Sequence, residues 1–182
     1  MLDAPSSAQR QQAYDLLFML EALDQQKRVT EFGKKMLQLG TEIRWAHMLV
    51  KAKELEQSLP GIEILSIYLL ALLDSRVSQS AELSTELQAQ SHRPHALFSK
   101  QLNYWFKRLN AKPSTNLTLS FLPILLALAY PDRLAKRRGE GYFLANGAGV
   151  NSRDDYWLND EFIAIAEPVS YTHLTLPTIY SV

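Results

Sequence analysis

Up to Tyr130 the apolar residues recur at helical spacing, and beyond Gly139 the readable pattern is the alternation of strands. Ser6 with Gln9 three positions on has capping-box spacing and predicts a helix to about Ala22, with Ala13, Leu16, Leu17 and Leu20 as one buried stripe. Leu23-Asp24, the polar turn Gln25-Gln26-Lys27 and Arg28-Val29-Thr30 read as a small hairpin or wing. Thr30 is placed to cap a second short helix, which Gly40 ends. Helix, wing and helix in so short a space predict a winged-helix remnant over residues 1–40, more a structural joint than a recognition element, since no basic face is visible.

Thr41 is placed to cap a longer helix, with Trp45, Met48, Leu49 and Ala52 on one side and Arg44, Lys51 and Lys53 on the other. Pro60-Gly61 breaks it. Ile62 to Leu73 is apolar almost all round and predicts the buried centre of a helical bundle. Arg76 to Ser91 is polar and fits either a loop or a marginal helix. From Pro94 to Leu109 the stripe Leu97, Phe98, Leu102, Trp105, Phe106 and Leu109 predicts another packed helix. After the turn-rich Ala111 to Asn116, Leu117 to Ala129 reads as a further buried helix, so the bundle covers residues 41–129.

Tyr130-Pro131 stops that helix and restarts it, because proline suits a first turn and not an interior. The expectation is a short basic helix in which Arg133, Lys136 and Arg137 fall at i, i+3 and i+4, with Arg138 at its end. Gly139 and Gly141 then lead into a hairpin closed by Asn146-Gly147, a strong hairpin signal. Residues 153–160 read as an acidic loop and Glu161 to Ala166 as a third strand. Residues 130–168 are thus a basic helix plus the start of a small β domain. The fold class is mainly α with a small β part.

Charge sharpens this division. The 182 residues balance 19 basic against 19 acidic side chains, but unevenly. Residues 1–92 carry nine Lys/Arg against twelve Asp/Glu, residues 93–138 nine against one (Asp132), and residues 139–168 one against six. A basic middle in a neutral chain is a candidate anion site. Guanidinium groups suit phosphate oxygens, and a cluster of this kind would follow a nucleic-acid backbone without reading bases. The competing account of the same residues is a helix C-terminal charge pattern with a salt bridge to Asp132 or Glu140.

Other chemistry is scarce. There is no cysteine, which excludes disulfides and thiolate metal sites and suits a reducing cytosol. No signal peptide is visible, and the longest apolar run, Leu117 to Tyr130, is too short to span a bilayer; a cytoplasmic location and no membrane partner are expected. No glycine is followed at phosphate-loop spacing by Gly-Lys-Ser/Thr, and Gly139-x-Gly141 and Gly147-x-Gly149 lack the rest of a dinucleotide fingerprint. His47 stands alone as an ordinary surface or interface residue, and His92 and His95 have no third ligand in reach, so no metal, cofactor or catalytic residue is expected. Val169 to Thr178, reading VSYTHLTLPT, resembles one reading frame of a transposon adapter used in sequencing libraries. On that reading residues 169–182 are non-native, and His173 supports no site.

The order of segments resembles the region after the motor core in HrpB-type DEAH/DExH-box ATP-dependent helicases. Three stretches carry the resemblance: LLFMLEALDQQKRVTEFGKKM (16–36), LGTEIRWAHMLVKA (39–52) and LALAYPDRLAKRRGEGYFLANGAG (127–149). They resemble, in turn, the family's winged-helix segment, the start of its helicase-associated bundle, and its Tyr-Pro-Asp-Arg-Ile-Ala-x-Arg-Arg followed by Tyr-x-Leu-Ala-Asn-Gly. Glu21 departs from a usual Gly, Lys34 from Arg, and Glu42-Ile43 from Asp-Pro. The family's phosphate loop, DExH box and motor arginines are absent from this sequence, and Met1 reads as an internal methionine. The resemblance implies an accessory module, silent by itself, whose β part is the start of a truncated OB-like domain. ATP and Mg would belong to separate motor domains of the same protein, and those motor domains would be partners together with single-stranded RNA or DNA. It further implies that Arg133, Lys136, Arg137 and Arg138 contact backbone phosphate and that Arg44 lines the bundle side. A free-standing single-strand-binding module and a non-binding scaffold are the alternatives.

Overall fold

The computed structural model describes residues 5–77, 83–114, 116–139, 141–144, 149–150, 161–165 and 179–181. Helix α1 (Ser7–Met19) begins at the expected capping box, Ser6 Oγ accepting from Gln9 N–H and Gln9 Oε1 from Ser6 N–H. Its predicted stripe is corrected. Ala13 is exposed, Leu16 and Leu17 are half-buried, and only Leu20, just past the helix, is fully enclosed. The wing is a single antiparallel bridge, Leu23 to Val29, stiffened by Asp24, which accepts from the N–H groups of Gln26 and Arg28. Thr30 caps α2 (Glu31–Leu39), and Gly40 ends it in the left-handed region. Gly33 has no room for a side chain, because a Cβ there would stand 2.4 Å from the Ala22 carbonyl oxygen. A small cluster of Leu20, Ala22, Met36 and Ala46 ties this unit to α3 (Ile43–Leu55).

Glu42, not Thr41, precedes the first turn of α3, and it makes no side-chain capping bond. Trp45, Met48, Leu49 and Ala52 are buried as expected, but so are Arg44 and His47. Helix α4 (Ile62–Ser75) is the bundle centre, Ile62, Leu65, Ile67, Leu69, Leu70 and Leu72 all being fully enclosed. Its N-terminus is capped from a distance by Glu56, whose carboxylate accepts from the N–H groups of Gly61 and Glu63 at 2.8 Å each. The polar stretch after it contains a true helix, α5 (Leu83–His92). In α6 (Ala96–Leu109) Phe98, Trp105 and Phe106 are buried while Leu97 is largely exposed, which narrows the predicted stripe. The last helix starts as a 3-10 turn, Leu119–Phe121, and becomes α7 (Leu122–Ala129), with Pro123 tolerated in its first turn. No helix among the described residues is long and apolar enough to cross a membrane.

The principal departure from expectation follows α7. Pro131–Arg133 is one 3-10 turn, and the basic segment is a strand, β1 (Leu134–Arg138), instead of a helix. It pairs on both edges, with β2 (Gly141–Leu144) and with β4 (Phe162–Ile165), in a sheet ordered β3-β2-β1-β4-β5. Strand β3 is Gly149–Val150, and β5, Ile179–Ser181, comes from the stretch read as non-native. Two-sided pairing satisfies the backbone groups of β1 and buries Ala135 between Leu144 and Ile163, which outweighs the helical preference of Ala, Lys and Arg. Arg138 pairs with Gly141, so the β1–β2 connection has two residues, and Gly139 takes the φ of 63° that such a turn requires. Asn146-Gly147, the acidic loop and His173 lie outside the described residues.

Candidate nucleic-acid interface at the bundle–sheet joint

The strand geometry redistributes the basic cluster. Side chains alternate along β1, so Leu134, Lys136 and Arg138 share one face while Ala135 and Arg137 share the other. The expected single helical face of Arg133, Lys136 and Arg137 does not exist. Near the bundle the first face is packed: Leu134 and its partner Ala164 join the core around α7. Farther out it is open, with Lys136 and Arg138 exposed. The second face carries a small core of Ala135, Tyr142 and Ile163, beyond which Arg137 is exposed.

Each cation has its own surroundings. Lys136 Nζ lies 3.3 Å from a Glu161 carboxylate oxygen and 5.1 Å from the centre of the Phe162 ring. Arg137 Nε donates to the Gly139 carbonyl at 3.4 Å, and its backbone N–H donates to Glu161. Arg133 is half-buried with its guanidinium over the Tyr130 ring at 4.5 Å.

Arg44 belongs to a different structure. Its two terminal nitrogens donate to the two oxygens of Asp132 at 2.6 and 2.8 Å, and one also donates to the Ala129 carbonyl at 3.1 Å. Burial opposes charge on both groups, yet the pair wins. The Arg44 guanidinium sits above its ordinary pKa, and the Asp132 carboxyl is held below its own. The Tyr130 ring lies 5.0 Å from the Arg44 guanidinium and 5.4 Å edge-on from Trp45. One turn along, His47 Nδ1–H donates to the Leu128 carbonyl at 2.7 Å, leaving Nε2 buried without a partner among the described residues. Burial therefore lowers the His47 pKa and keeps the ring neutral. Two side chains of α3 thus occupy the carbonyls that end α7, where Pro131 allows no further helix.

The sequence offers Asp132 only as a salt-bridge partner of its neighbours and His47 only as an ordinary surface or interface residue, and their roles at the joint come from the fold. One signal was present: Asp132 is the lone acid among residues 93–138. Its bidentate partner, however, is Arg44, while Arg133 of the neighbouring cluster adds a charge attraction.

Comparison with known proteins places these features in context. Residues 13–40 match the family described as helicase associated domain (HA2), winged-helix. Over 151 residues, 82% of this chain, the sequence is 33% identical to the ATP-dependent RNA helicase HrpB of Escherichia coli strain K12. The chain spans only 17% of that relative's length. A crystal structure of the E. coli DExH-box NTPase HrpB matches 93% of this chain with a TM-score of 0.71, and one of the E. coli DEAH/RHA helicase HrpB matches 98% with 0.72. Both are 28% identical to it, and it covers 20% and 22% of those chains.

Proposed function

Since the chain belongs to the accessory, helicase-associated region of HrpB-like DEAH/DExH-box helicases, outside their motor, we propose that it forms part of the wall of a single-stranded nucleic-acid channel. Hydrolysis of ATP belongs on this reading to motor domains of the whole protein, and this region is silent by itself. The observation that carries the proposal is β1, which runs to the tip of a short hairpin with Lys136 and Arg138 exposed on one face and Arg137 exposed on the other. Such side chains hold phosphates and fix the path of a strand without selecting its sequence. Arg133 stands at the base of the same hairpin. The role of Arg44 is indirect, in holding Asp132 and with it the start of β1.

The test is charge reversal in the full-length helicase. Arg137→Glu with Arg138→Glu weakens RNA-stimulated ATPase and flattens its dependence on salt, because about 0.7 of a counterion is released per phosphate neutralised on a single strand. Stimulation that stays at the wild-type level across a salt series removes the proposal. A scaffold reading is favoured by the internal contacts of these cations, Lys136 with Glu161 and Arg137 with the Gly139 carbonyl. It predicts that the double variant changes stability and leaves stimulation alone.

A further inference from the structure

The outer end of the open sheet face carries a feature that phosphate contact does not use. Pairing places Gly149, Phe143, Lys136 and Phe162 in one row across four strands, on the face that also carries Arg138. Phe162 is half-buried, and the Lys136 ammonium lies over its ring. Phe143 differs. It is 38% exposed, while its chain neighbour Tyr142 is buried on the opposite face. The two same-face positions beside it, Gly141 and Gly149, are glycines, and a Cβ at either would only just touch the ring, at 3.7 Å. No side chain at those positions screens it. A lone exposed phenylalanine needs no explanation. An exposed ring with glycines at both of those positions, directly opposite a lysine and one pair along from an arginine on the same face, has the make-up of a stacking platform for single strands.

We propose that Phe143 stacks on a nucleobase of the bound single strand while Lys136 and Arg138 hold the adjoining phosphates. The inference rests on the preceding reading that a single strand passes over this hairpin. It adds a base contact that is sequence-tolerant, because every base offers a π face, and independent of salt, because no counterion is released.

The experiment is a fluorescence-anisotropy titration of the full chain with a dye-labelled oligothymidylate and with a strand of the same length made of abasic sites. The wild type binds the base-bearing strand about tenfold more tightly than the abasic one. Phe143→Ala binds both equally, at the abasic level and with an unchanged salt slope, and Phe143→Trp restores the difference. Phe143→Leu, which keeps apolar bulk without a π face, melts like the wild type and binds like Phe143→Ala. Salt-sensitive binding with no preference for bases, or a preference that survives Phe143→Ala, overturns the stacking contact and leaves the phosphate reading standing. Absence of salt-sensitive binding to either strand removes both.

Discussion

Glu21 holds a φ of 56°, a left-handed conformation that costs a side-chain-bearing residue about 1 kcal/mol and glycine nothing. It stands where the HrpB-type pattern has glycine, at the sharp exit from α1 into the wing. Its carboxylate reaches the half-buried Lys51 at 2.8 Å, but Glu21 itself faces solvent, which screens the pair and keeps its contribution small. Glu21→Gly is therefore expected to raise stability by about 0.5–1 kcal/mol despite the added freedom of the unfolded chain, measured as a shift of the urea midpoint without a change in slope. Most residues that act on near neighbours were legible, Thr41 before α3 being an exception. Ser6 with Gln9, Thr30 and Gly40 all fulfil the roles their spacing implied. Arg44 was not legible, since its partner Asp132 lies 88 positions away and no periodicity links them.

Helix α3 shows why one element can look amphipathic and still bury its polar side. Its apolar stripe faces α4, while Arg44 and His47 turn towards the carbonyl end of α7. Pattern reading sees two faces of a helix and has no means of knowing that both are covered. The buried, neutral His47 gives this contact a pH signature. Its pKa is lowered in the folded state, so the unfolded chain takes up a proton first as the pH falls below about 6.5. Stability from this group is complete above that value and declines towards the depressed folded pKa. Thermal melts of the wild type are expected to lose midpoint between about pH 7 and pH 5, and His47→Gln to flatten that part of the profile. An equal slope in both proteins would mean that another group titrates. The basic segment teaches the converse lesson. Leu134 to Arg138 is strand only because β2 and β4 flank it, and neither neighbour is encoded within the segment itself.

At the scale of the whole molecule, winged-helix unit, bundle and sheet meet on α3 and α7. The helical order and the buried centre at α4 could be read from composition and period, because local contacts generate them. How the sheet attaches could not, because the attachment joins residues far apart in sequence: Arg44, Asp132 and Tyr130 at the end of α7, with Leu134 and Ala164 packed on the same helix. Arg44→Ala leaves Asp132 half-buried without its partner and Ala129 without a donor, a loss of about 2–3 kcal/mol in denaturant unfolding. Hydrogen exchange is expected to speed up first in β1 and β4, with α4 keeping its protection. Uniform loss of protection would show that the sheet and the bundle unfold as one unit.

The same joint has a mechanical meaning. The segment from Tyr130 to Leu134 is no swivel: its carboxylate is gripped by two guanidinium nitrogens and its tyrosine ring is flanked by Arg44, Arg133 and Trp45. A load applied at the hairpin tip would therefore reach α3 through side chains before any connector torsion had to turn. A part built in this way is a strut: it carries tension without slack, and a single pair of charges lies at its centre.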